Sequence, residues 1–133
     1  PCSGTGTMRR HPEIPWRLEP EDVDPAQPNG LPALQRTLLG EAARCAAPGG
    51  TLIYATCSVL REENEDVLGE FLASREGARF SVVPFADALS QAGADDALAA
   101  WVRARQTPQG FLRTYPAPGS CDGHFAAALV KRA

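Results

Sequence analysis

The chain has 133 residues, of which 44% are hydrophobic, 22% charged and 7% aromatic, with a formal net charge of −3. That length and balance suit one ordinary globular domain with a continuous core and exclude wholesale disorder. No apolar run approaches the roughly 20 residues that span a bilayer, no basic start leads into an apolar stretch as in a secretory signal, and a net negative charge argues against holding nucleic acid by bulk electrostatics.

The first residues, Pro1-Cys2-Ser3-Gly4-Thr5-Gly6, carry no initiator Met, so the chain reads as a piece of something longer. Residues 1–30 are rich in Gly, Pro and charge. Their prolines remove backbone donors and restrict the preceding residues, which predicts loop with at most a helical turn near Glu19–Val23. Leu31, Leu34, Leu38, Leu39, Ala42 and Ala46 then recur at helical spacing and predict a helix over 32–47, stopped by Pro48-Gly49-Gly50. Thr51 to Thr56 is apolar on both faces, the pattern of a strand covered on both sides in a parallel sheet. Acidic Glu62, Glu63, Glu65 and Asp66 crowd the start of a second helix, where the dipole favours them, and its apolar face is Val67, Leu68, Phe71 and Leu72. Phe80 to Val83 reads as another strand. Between 85 and 109 the pattern is weak, with a short helix predicted over 94–105. Gly110–Tyr115 and His124–Lys131 read as an antiparallel pair closing one edge of the sheet. Helix, strand, helix, strand is an α/β rhythm, and such sheets bind ligands at the carboxyl ends of their strands, here Cys57-Ser58.

Four cysteines stand at 2, 45, 57 and 121 without a C-x-x-C pair, and His11 and His124 have no ligand-like spacing to them. A structural metal site is not expected, and free thiols in a reducing cytoplasm are. Cys45 and Cys121 read as small hydrophobes. Cys57 differs. It follows a buried strand and precedes a helix start, a place that can lower a thiol's pKa and present it to a ligand. Gly4-Thr5-Gly6-Thr7-Met8-Arg9 begins like a dinucleotide fingerprint, but Arg9 stands where the third glycine belongs. Trp16 could stack a base but reads first as packed under the loop, Asn64 as an inward-facing structural hydrogen-bonding group, and the acidic residues around it as a helix-start charge set.

Taken in order, the motifs resemble one family. Pro1-Cys2-Ser3-Gly4-Thr5-Gly6-Thr7 is followed by Arg9-Arg10-His11-Pro12-Glu13-Ile14 and Trp16-Arg17. Then come Leu34-Gln35 to Leu39, Pro48-Gly49-Gly50, Tyr54-Ala55-Thr56-Cys57-Ser58, Glu62-Glu63-Asn64-Glu65 and Cys121-Asp122-Gly123-His124-Phe125. This series resembles the Fmu/Sun family of RNA cytosine-C5 methyltransferases over nearly the whole chain. The resemblance implies the later half of a Rossmann-like class I methyltransferase sheet, mostly parallel with an antiparallel edge hairpin. Residues 1–133 would be the carboxyl-terminal part of one catalytic domain. It implies Cys57 as the nucleophile that adds to the cytosine ring and Cys2 as the thiol that assists release of the adduct. S-adenosylmethionine is the implied methyl donor, bound mainly by residues upstream of Pro1. The implied substrate is tRNA or rRNA, with Arg9, Arg10 and Arg17 as candidate phosphate contacts. A DNA cytosine-C5 methyltransferase would not need the second thiol. A non-catalytic RNA-binding or assembly module on the same fold is the alternative from another class.

Overall fold

A computed structural model describes all residues 1–133. The first thirty residues are mostly loop, as their prolines dictate, interrupted by a 3-10 turn at Thr5–Thr7 and two four-residue helices, α1 (Ile14–Arg17) and α2 (Pro20–Val23). α3 (Leu31–Cys45), β1 (Thr51–Thr56), α4 (Glu65–Ala73) and β2 (Phe80–Val83) follow, then α5 (Phe85–Gln91), α6 (Asp96–Arg103), β3 (Leu112–Arg113) and β4 (Phe125–Lys131). The weak region after β2 therefore holds two helices, the second capped by the Asp95 carboxylate, which accepts from the Leu98 amide at 2.7 Å.

The strands form one sheet in the order β1-β4-β2, with β3 also paired to β4. Every pairing is antiparallel. This corrects the expectation of a mostly parallel sheet with β4 in an edge hairpin: β3 and β4 do pair, but β4 lies in the middle. Its composition explains the place. Phe125, Ala127, Ala128 and Leu129 are fully buried, and small alanines on a central strand let helices approach both faces. Tyr54, Phe125, Ala127 and Leu129 meet Leu39 and Ala43 of α3 and Val67, Leu68 and Phe71 of α4 in the main core. α5 lies over the other face, where it lines a cavity of about 670 Å³ with Thr51, Ile53 and Val130.

Two further expectations are revised. The buried face of α3 is Pro32, Gln35, Leu39 and Ala43, while Leu34 and Leu38 are exposed. β1 is covered on one face only, through Tyr54 and Thr56, and Ile53 is 52% exposed. Its side away from β4 has no partner strand. No helix is long and apolar enough to cross a membrane.

Candidate active site

Three loops converge at the carboxyl end of β1. The first is residues 1–7, the second continues β1 through Cys57-Ser58, and the third is Cys121-Asp122-Gly123. The Gly6 amide donates to the Cys57 carbonyl at 2.8 Å, and the Gly123 amide donates to the Gly6 carbonyl at 2.9 Å. A Cβ on Gly6 would lie 2.1 Å from the Gly123 carbonyl oxygen and 2.7 Å from that of Cys57. Only glycine permits that approach. Gly4, at φ 74°, turns the chain into the 3-10 segment. The Thr5 hydroxyl then accepts from the Val59 amide at 3.1 Å and lies 3.0 Å from the Ser58 hydroxyl.

This stitching sets Cys2 Sγ 3.4 Å from Cys57 Sγ, both half-buried. The two thiols named from the sequence are thus brought into contact from 55 residues apart. Their electrostatics reverse one expectation. Cys57 is not an activated thiolate: burial first, then the hydrogen bond and charge of Cys2, push its thiol up to about 11. Proximity to a helix start does not compensate, because a 3-10 turn at Arg61–Glu63 and the buried Asn64 intervene before α4.

Asn64 carries the structural role read from the sequence. Fully buried, it accepts from the Thr56 hydroxyl at 2.6 Å and donates to the Ser58 carbonyl at 2.9 Å, gripping both flanks of Cys57. Glu63 departs from its reading as a solvated helix-start charge and is also fully buried. The signal for it was Gln35, a polar residue at the buried spacing of α3, whose Nε2 donates to Glu63 Oε1 at 2.9 Å.

The three arginines divide. Arg9 donates to the carbonyls of Ala117 and Ser120 at 2.8 and 3.0 Å, and both Arg9 and Arg10 pair with the buried Asp122 carboxylate. They tie the first loop to the third, a use that sequence reasoning missed, and both remain exposed. Arg17 instead lines a cavity of about 260 Å³ with Cys2, Ser3, Ile14, Leu18, Asp22 and Leu31. Trp16 is not packed beneath the loop. It stands 88% exposed. Cys45, expected inside, is exposed, and Cys121 is half-buried.

A profile of the 16S rRNA methyltransferase RsmB/F family matches residues 1–130. Ribosomal RNA small subunit methyltransferase F of Klebsiella pneumoniae is 38% identical over all of the chain, which covers 24% of that protein. Ribosomal RNA small subunit methyltransferase B of Shewanella oneidensis is 34% identical over 98% of the chain and 25% of its own length. The chain thus spans about a quarter of the curated relatives it matches. Among solved structures, the crystal structure of PH0851 superposes with TM-score 0.70 and 33% identity, over 98% of this chain and 25% of that one. A methyltransferase homolog from Pyrococcus horikoshii superposes with TM-score 0.62 and 25% identity, over 98% of this chain and 36% of its own.

Proposed function

The chain belongs to the 16S rRNA methyltransferase RsmB/F family, and from that premise we propose that it is the carboxyl-terminal part of a catalytic domain that methylates carbon 5 of a cytosine in rRNA. The observation that carries the reading is the 3.4 Å contact between Cys2 and Cys57. One thiol suffices for addition to a ring. Two in contact suit a cycle of addition and release.

Carbon 5 of cytosine is a poor nucleophile within the intact ring. Addition of the Cys57 sulfur to carbon 6 breaks the 5,6 double bond and makes carbon 5 enamine-like. S-adenosylmethionine, when bound, supplies an electrophilic methyl group. Loss of the carbon-5 proton to a base then lets the carbon 6–sulfur bond break, with the double bond restored and Cys57 expelled. Cys2, in contact with Cys57, assists that last step. The raised Cys57 pKa means that the thiol must lose its proton as the base is engaged.

The target base must leave its stack to be attacked on its face. A cavity of about 260 Å³ opens beside Cys2, with Arg17 on its wall as a candidate phosphate contact. The unpaired side of β1 offers an edge on which the sheet would continue into the donor-binding part, as in a Rossmann-like methyltransferase.

The test is transfer of a labelled methyl group to 16S rRNA by the full-length enzyme, with the product nucleoside identified. Wild type is expected to yield 5-methylcytidine and Cys57→Ala none. Methylation at another atom, or undiminished transfer by Cys57→Ala, overturns the reading. A non-catalytic RNA-binding module predicts no transfer by either protein.

A further inference from the structure

Glu63 is a carboxylate with no exposed surface and no ion-pair partner. A buried charge is costly unless its oxygens are filled by donors. Here three neutral donors fill them. The Ser3 amide donates to Oε1 at 2.8 Å, the Ser3 hydroxyl to Oε2 at 2.5 Å, and Gln35 Nε2 to Oε1 at 2.9 Å. Gln35 Nε2 also donates to the Pro1 carbonyl at 3.0 Å. The residues on both sides of Cys2 are thus held by one carboxylate and one amide.

The same short segment holds the other thiol. The Tyr54 hydroxyl donates to the Glu63 carbonyl at 2.5 Å, and the neighbouring Asn64 grips Thr56 and the Ser58 carbonyl. Residues 63 and 64 therefore fasten two loops that are far apart in sequence, and the Glu63 side chain reaches the Cys2 side. We propose that Glu63 is the positioning residue of the thiol pair: its carboxylate clamps Ser3 so that Cys2 is held against Cys57. The inference rests on the two-thiol reading above. Bonds from donors to a charged acceptor are about twice as strong as neutral ones, which is why a carboxylate serves here. The titratable groups bearing on Cys57 are Cys2 and Glu63, and the nearby negative charge of Glu63 is one of the causes that hold its thiol protonated.

Glutamine separates position from charge. In Glu63→Gln the amide oxygen can still accept from the Ser3 amide and from Gln35, and the new NH2 can donate to the Ser3 hydroxyl. Alanine removes the clamp, and Ser3→Ala removes one of its bonds. The test uses the full-length enzyme with Cys45 and Cys121 replaced by Ser. Two readouts need neither RNA nor methyl donor: the rate of diamide-driven Cys2–Cys57 disulfide formation, and the pH profile of Cys57 alkylation, both by peptide mass spectrometry.

Glu63→Gln is expected to crosslink no more slowly than wild type while its Cys57 profile moves to lower pH, since a larger thiolate fraction speeds disulfide formation. Glu63→Ala is expected to crosslink at least about tenfold more slowly and to lose on the order of 10²-fold in methyl transfer, as a misplaced reacting group does. Should Glu63→Ala fail to fold by circular dichroism, Ser3→Ala and Glu63→Gln decide, with slowed crosslinking expected of the first. A folded Glu63→Ala or Ser3→Ala that crosslinks as wild type does overturns the assignment. A wild-type enzyme that transfers no methyl group fails the functional reading alone, since the crosslink still reports on the clamp.

Discussion

Cys57 works against its surroundings. Burial and the adjacent Cys2 hold its thiol up at about 11, so it is almost wholly protonated at neutral pH. The sign is that of an acid whose neutral form is favoured: reactivity toward a small alkylating agent stays low at neutral pH and grows as the pH rises through that midpoint. Replacing Cys2 with Ala removes a hydrogen-bonding partner and a source of like charge, so the midpoint is expected to fall. A Cys57 that alkylates with a midpoint at or below the ordinary thiol value of about 8.5 contradicts this. Asn64 is the second residue to test. Asn64→Ala leaves the buried Thr56 hydroxyl and Ser58 carbonyl without their partner and is expected to cost about 1–3 kcal/mol in urea unfolding. At this scale the sequence was uneven. Cysteine motifs are legible because few residue types do their chemistry. Glu63 was not, because a carboxylate near a helix start is ordinarily solvated and only tertiary contacts with Ser3 and Gln35 reveal otherwise.

The element boundaries that follow strong local punctuation were legible. β1 begins after Gly49-Gly50 and ends at Thr56 as read, and α3 ends two residues before the Pro48 stop. Which face each element buries was less so. The leucine stripe on α3 pointed to Leu34 and Leu38, yet the helix is rotated so that Gln35 faces inward to meet Glu63. Hydrophobic periodicity cannot anticipate a polar partner supplied from another segment. The loops at the end of β1 make a sharper prediction. Gly6 and Gly123 touch backbone to backbone, and an added Cβ at Gly6 meets carbonyl oxygens that cannot move aside without parting the loops. Gly6→Ala is expected to destabilise by about 1–3 kcal/mol in thermal unfolding and to lose methyl transfer, because Cys57 is bonded to that same amide. Gly40, with nothing within 4 Å of an added Cβ, is the control whose alanine variant should stay folded and active.

At the level of the molecule, β4 organises everything. It pairs with all three other strands, and its Phe125 ring packs against Tyr54 and Phe111 with centroids 6.4 and 5.4 Å away. Phe125→Ala is accordingly expected to cost about 3–5 kcal/mol, measurable as a lowered urea midpoint. The central position of β4 escaped the sequence because strand order is set by contacts across the whole chain, and a hairpin pattern says only that β3 and β4 are neighbours. The three motif loops show the converse. Each was legible alone, and their order along the chain gave the family, but only folding shows that they meet. That meeting is the central claim, and one measurement addresses it directly: incubate full-length Cys2→Ala enzyme with 16S rRNA and methyl donor, denature, and map any RNA–protein adduct by mass spectrometry. The account predicts an adduct that survives denaturation, joined through Cys57 to a methylated cytosine and absent from Cys2→Ala/Cys57→Ala. No adduct from an enzyme that still methylates cytosine, or an adduct on another residue, contradicts it.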